Sequence, residues 1–312
     1  MHHETGKRVG LALLTGAFAL RLLTGAGATP APAAPARVYT VKVETKQAPA
    51  EPEPAYLEFT EAEAESIRLS GVSTDADKAA LLTEPLELEP AVLIYHTHTS
   101  EAYAQSAGWT YRESDPLRTT DSSHSVAAVG AKAAEVLRAR GVQVIHDVTF
   151  YDHPDYNSAY YNARASLQSL LAAHPEVSVV LDLHRDAILD DRGNALRQVT
   201  ELPDGQAAAK LMLVVGTDAG GQHPNWQKNL SLALKVQAAA ERRQPGICKA
   251  MDLRRERFNQ FLSPGALLVE VGSAGNTLPE ALLSAEILAN AVADLLVGVS
   301  SADTGSSAAA PG

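Results

Sequence analysis

The stretch AVLIYHTHTSEAY, residues 91–103, decides how this chain is read. Its first residues, Ala91 to Tyr95, form a continuous apolar run, the pattern of a strand buried on both faces. The run then passes straight into His96, His98, Ser100 and Glu101. Ionisable groups at the end of a buried strand are costly unless they are paired or ligated. The stretch therefore predicts both a central strand and a site at its carboxyl end.

Outward from it, strands and helices alternate. Val126, Val129, Ala133, Val136 and Leu137 recur at helical spacing up to Gly141, where a helix is expected to stop. VQVIHD (142–147) reads as a strand, Ala163, Leu167, Leu170 and Leu171 mark a helix, and VSVVLDL (177–183) and KLMLVVG (210–216) read as strands. A helix follows Pro224 to about Arg243, and ALLVEVG (266–272) is the last strand. Thr277 and Glu280 make a capping box for the final helix, with Leu282, Ala285, Leu288, Val292 and Leu295 on one face. Such alternation predicts the α/β class, with a mainly parallel central sheet flanked by helices.

Upstream of residue 91 the composition changes. Lys7 and Arg8 precede an apolar run from Val9 to Leu20, broken by Arg21. A membrane span takes roughly 20 apolar residues, so residues 1–28 read as a secretory signal with Ala26-Gly27-Ala28 at its cleavage site, or else as an uncleaved anchor. Residues 29–56 are rich in Pro and Ala and read as a spacer, with RVYTVKVE (37–44) as a weak strand pattern inside it. Residues 57–90 form an acidic segment, expected as a short helix and loop at the edge of a domain over 91–299. The tail, 300–312, is Ser/Ala/Gly-rich and expected to be disordered.

The chain of 312 residues carries a formal charge of −11, which argues against nucleic acid as a partner, since phosphate contacts need clustered Lys and Arg. Its one cysteine, Cys248, excludes an intramolecular disulfide and a cysteine-cluster metal site.

In open α/β sheets ligands bind beyond the carboxyl ends of the strands. There the chain places HTHTSE, then DLHRDA with His184, Arg185 and Asp186, and finally Glu270 within LLVEVGSAGN. Imidazole and carboxylate suit zinc, and a catalytic zinc takes three protein ligands plus water. His98 and Glu101 form a His-x-x-Glu pair, His184 is the natural third ligand, and Glu270 is left as general base. His96 is either a ligand in place of His98 or a supporting residue behind it. Arg185 reads equally as a support for an oxyanion or substrate carboxylate and as an ion-pair partner. Trp109 and Tyr111 are groove-lining candidates, with core packing as the default. His146, His153, His174 and His223 read as structural or surface residues.

Taken together, LIYHTHTSEAY, YRESDPLRTTDSSHSVAAVG, DLHRDA, LVVGTDAGGQHPNWQKNLSLALKVQ and FNQFLSPGALLVEVGSAGNTLPEA resemble the stage II sporulation protein P family, in order over about residues 91–297. The resemblance implies a fold and site like those of zinc-type N-acetylmuramoyl-L-alanine amidases, in a single domain. It implies His98 or His96 and His184 as zinc ligands and Glu270 as the catalytic glutamate. The amidases take a Glu ligand from the start of the first helix, where this chain has TTDSSHSV without Glu. Glu101 is the replacement expected, with Asp121 and His124 in reserve. Further implications are cleavage of the amide between N-acetylmuramic acid and L-alanine, a second activity on peptide cross-links, and work outside the cytoplasm during septation and engulfment. Peptidoglycan, a sporulation lytic transglycosylase and a membrane organiser are the implied partners. Two other readings compete: a secreted zinc carboxypeptidase, for which no dedicated Arg clamp stands out, and an inactive wall-binding scaffold, against which all the candidate ligands are present.

Overall fold

The computed structural model describes residues 56–299. The leader, the spacer up to residue 55 with its RVYTVKVE stretch, and the tail lie outside them. No helix among the described residues is long and apolar enough to cross a membrane.

Nine strands and six α-helices follow one another among the described residues. α1 (Glu61–Ser66), β1 (Leu69–Gly71) and α2 (Lys78–Thr83) come from the acidic segment. β2 (Ala91–Tyr95), α3 (Val126–Ala139), β3 (Gln143–His146), α4 (Ala159–Ala173) and β4 (Val179–Asp186) form the first half of the site domain. β5 (Val199–Glu201) and β6 (Ala207–Ala209) make a small antiparallel hairpin. β7 (Leu211–Gly216), α5 (Trp226–Arg243), β8 (Met251–Arg254), β9 (Ala266–Ser273) and α6 (Leu278–Val297) follow as the last elements of the described residues.

Seven strands form one sheet in the order β1-β8-β7-β9-β4-β2-β3. Every pairing is parallel except that of β7 with β9. Thus β9, β4, β2 and β3 run one way and β7, β8 and β1 the other. The acidic segment adds more to the sheet than a helix and loop, since β1 pairs with β8 as an edge strand.

Strand alternation divides the side chains between two faces. Val92, Ile94, Leu181, Leu183, Leu213, Val215, Leu267 and Val269 pack with α3, α5 and α6 in the main core. On the other face, Leu93, Tyr95, Val180 and Ala266 meet Ala163 and Leu167 of α4 in a smaller cluster. The sequence predicts a sheet flanked by helices, and that holds for one whole face. On the second face α4 lies over β2 and β4, while Met212, Val214, Asp252 and Ser70 line an open pocket instead of a helix. This asymmetry leaves the carboxyl end of β9 accessible.

Candidate active site

The loop after β2 is unusual in being buried and polar at once: His96 to Glu101 are each at most 7 % exposed. Buried polar groups need partners, and two carboxylates supply them. Asp182 accepts hydrogen bonds from the Thr97 N–H (2.8 Å) and hydroxyl (2.6 Å). Asp152 accepts from the Ser100 hydroxyl (2.6 Å) and N–H. A second segment straps the loop from outside: Ala102 N–H donates to Leu117 O, Thr119 N–H to Ser100 O and Val126 N–H to Glu101 O.

Held in this way, His98, Glu101 and His184 converge. The His98 and His184 rings meet edge to face with centroids 5.3 Å apart. His184 Nδ1 lies 3.4 Å from Glu101 Oε2. His184 Nε2 lies 2.9 Å from Asp182 Oδ1, but off the direction in which a ring N–H points, so that nitrogen has no hydrogen-bond partner. His98 Nδ1 is also buried and unpartnered, with Asp152 Oδ2 no nearer than 3.9 Å. Tyr156 stacks on His98 (4.0 Å, 14°), Tyr160 meets it edge-on, and the Arg118 guanidinium covers the far side of Tyr156.

Glu270 stands beside His184 in the β4–β9 register, on the α4 side of the sheet. Its Oε2 is buried and has no partner. Burial pushes its carboxyl up to about 8, with the His184 ring opposing the shift and the Glu101 carboxylate reinforcing it. Burial likewise lowers His98 to about 4, helped by the neighbouring His184. For Glu101, burial acts upward but Arg185 and His184 outweigh it and hold the carboxyl low. For His184, burial acts downward and is overcome by Asp182 and Glu101, which hold the imidazole well above its ordinary range. The two carboxylates flanking this imidazole mark a position where positive charge is stabilised.

Among the described residues, no three His, Cys, Asp or Glu side chains stand as a ready-made metal cage. Glu101 faces His184 Nδ1 and the Arg185 backbone N–H (3.2 Å) instead. The donor set nonetheless fits zinc in kind, with two imidazoles and a carboxylate on adjacent strand ends and one buried unpartnered nitrogen on each imidazole.

The other candidates are placed as follows. His96 points to the opposite face, its Nδ1 2.9 Å from Leu183 O and its Nε2 3.0 Å from His146 Nε2, away from His98. Arg185 is buried and donates to Ala102 O and Leu117 O (3.0 Å each), with Nη1 3.7 Å from Glu101 Oε1. It anchors the loop that carries Glu101. Asp121 and His124 pair with each other at 2.9 Å near the surface. Tyr111 donates its hydroxyl to Tyr103 O, and Trp109 packs near His124.

Four residues of the cluster escape the sequence reading: Asp182, Asp152, Tyr156 and Tyr160. Asp182 had a signal, because it sits two positions before His184 on the same strand and alternation puts both on one face. The two tyrosines and Asp152 lie before and within a helix that the sequence ties to no strand end.

A family model described as stage II sporulation protein P matches residues 26–293. The curated stage II sporulation protein P of Bacillus subtilis (strain 168) is 26% identical over 215 residues, which cover 65% of this chain and 49% of that protein. The chain thus spans about half the length of that curated relative. Similar solved structures include N-acetylmuramoyl-L-alanine amidase AmiC2 of Nostoc punctiforme, with 12% identity and a TM-score of 0.37 over 67% of this chain and 97% of that one. An N-acetylmuramoyl-L-alanine amidase from Clostridium difficile 630 aligns with 13% identity and a TM-score of 0.36 over 67% of this chain and 95% of that one.

Proposed function

Since the chain belongs to the stage II sporulation protein P family, we propose that it is a zinc-dependent peptidoglycan hydrolase of sporulation, acting outside the cytoplasm. Its reaction is cleavage of the amide between N-acetylmuramic acid and the first alanine of the stem peptide. The observation that carries the reading is Glu270, a half-buried carboxyl whose Oε2 is buried and unpartnered, beside a two-imidazole, one-carboxylate cluster. That oxygen takes part in no hydrogen bond or ion pair among the described residues, which supports a chemical role over a structural one.

His98, His184 and Glu101 would hold the zinc. Bound there, the metal would supply polarisation of the scissile carbonyl and a more acidic water. The rest falls to the protein's own groups. Glu270 Oε2 is free to accept a proton from the attacking water. Burial makes this carboxyl a stronger base than one in solvent, the direction that suits a group taking this proton and passing it to the leaving amine. Asp182 accepts two hydrogen bonds from Thr97 and lies beside the His184 ring, so one carboxylate touches both the loop and the strand. Arg185 keeps Glu101 ionised and aimed inward. Tyr156 and Tyr160 pack against the His98 ring, one on its face and one edge-on, and leave that residue 7 % exposed.

Glu270→Gln tests this assignment, since it keeps shape and removes the proton acceptor. Release of peptide from purified peptidoglycan should fall at least ~10²-fold, the usual scale for a lost general base. Elemental analysis should find one zinc per chain in both proteins. Full hydrolysis by a folded, zinc-loaded variant would move the base elsewhere. A fully active protein free of zinc would refute the metal.

A further inference from the structure

The pocket on the uncovered half of the sheet has a volume of about 390 Å³ and begins at Glu270 and Tyr160. Its floor is apolar: Leu268, Met212 and Val214 follow one another across β9 and β7. Its far end is charged. Asp252 and Arg254 project from alternate positions of β8 and pair with each other, Arg254 Nη1 donating to Asp252 Oδ2 at 3.0 Å. Arg254 Nε also stands 3.5 Å from Glu256 Oε2. Lys249 neutralises Asp186 at the pocket's other margin, at 2.9 Å.

Two features separate this pocket from an ordinary wet sheet face. Its floor residues Val214 and Leu268 are at most 5 % exposed, so the floor is recessed rather than rinsed by solvent. Phe258, on the wall against Tyr160 with centroids 5.6 Å apart, has a φ of +52°. A bulky residue rarely adopts that conformation, and such backbones persist where the surroundings hold them for function.

The register fixes the scale. Asp252 is two strands and one row of side chains from Glu270, which at ordinary strand spacings is about 12 Å. That is the reach of three to four extended residues, at about 3.3–3.6 Å each. Such an acid–base arrangement is matched by a ligand carrying both charges, because an ammonium can take the place of Arg254 on Asp252 while a carboxylate takes the guanidinium from Asp252 and Glu256. The Arg254 side chain is half exposed, so solvent and a ligand can compete for its guanidinium.

We propose that this pocket is a peptide subsite, and that Asp252 and Arg254 select a residue whose side chain bears an ammonium and a carboxylate together, about three residues from the bond cleaved. The proposal rests on the hydrolase reading above, and its test separates the two. The full-length zinc-loaded chain is given muramoyl tripeptides whose third residue is 2,6-diaminopimelate, lysine or norleucine, and kcat/KM is measured for each. The diaminopimelate form should exceed the lysine form about tenfold or more, the scale of a charge-assisted hydrogen bond. The norleucine form should be the poorest. Arg254→Gln should bring the first two to within about twofold. Arg255→Gln, outside the pocket, should keep the wild-type order. The same three peptides, carrying a fluorophore, are then titrated into Glu270→Gln protein, and Kd should follow the same order. If nothing is hydrolysed but that order of Kd holds, the hydrolase reading fails and the subsite stands. Equal Kd and equal kcat/KM for the three peptides in the wild-type protein overturn the subsite, as does an equal loss on all three in Arg254→Gln.

Discussion

At the scale of single residues, the two histidines of HTH illustrate how two positions along a chain change a side chain's fate. His98 turns to the α4 side and the candidate site, whereas His96 turns to α3 and pairs with His146. The space for that second pair comes from Gly130. A Cβ there would stand 2.5 Å from His96 Nε2 and 2.6 Å from His146 Nε2. Alanine is favoured over glycine inside a helix by about 1 kcal/mol, yet the clash with two rings fixed by their own hydrogen bonds costs about 1–3 kcal/mol. Gly130→Ala should therefore destabilise the protein or leave it near neutral, and never stabilise it; the midpoint of urea unfolding decides. The site was legible in the sequence as far as strand ends reach: His98, His184 and Glu270 all lie at them, and the sheet rule brings them together. The direction of His96 was open, because the chain leaves the pleat at that residue. The tyrosines around His98 were invisible, since their positions depend on how α4 docks.

At the scale of elements, α5 shows a compromise between packing and charge. It buries both Ser231 and Lys235 against α2, and both donate to Leu81 O at 2.7 Å. Burial lowers the Lys235 ammonium to about 8, with Glu84 opposing. A lysine whose folded pKa lies below its unfolded value of about 10.4 binds its proton more weakly in the native state. Stability from this group is then complete above about pH 10.4 and is lost as the pH falls through about 8. Lys235→Met should relieve that cost at pH 7 while Ser231 still satisfies Leu81 O. The thermal midpoint should rise by about 2–4 °C, the shift made by ~1 kcal/mol in a domain of this size, and its rise between pH 8 and 10 should flatten. The same scale shows what the sequence gives up easily. The long helices and β2, β4, β7 and β9 carry continuous apolar or 3.6-period patterns and are found within a few residues of expectation. β8 (MDLR) and β1 (LSG) are too short and too polar to announce themselves, because only one of their faces meets the core.

At the scale of the molecule, the acidic segment is structural. Ile67 and Leu82 are buried in the main core, and β1 closes the edge of β8. Each such side chain is worth about 1.5–3 kcal/mol, out of a typical total of 5–15 kcal/mol. Deleting residues 57–90 should lower the thermal midpoint by ~10 °C or abolish cooperative unfolding, as calorimetry would show. A midpoint unchanged within error would mean that the segment merely leans on the sheet. The strand order carries a consequence in time as well as in space. β9 is the last strand in sequence but sits between β7 and β4, in the middle of the sheet. Synthesis runs from the N-terminus, so both flanks exist before the strand that joins them. Until Ala266–Ser273 has emerged and slid into that gap, the sheet is two separate pieces and Glu270 is not beside His184. A chain that stops short of Ala266 therefore has its histidines without Glu270 beside them, and the candidate site is assembled only once the last strand is in place.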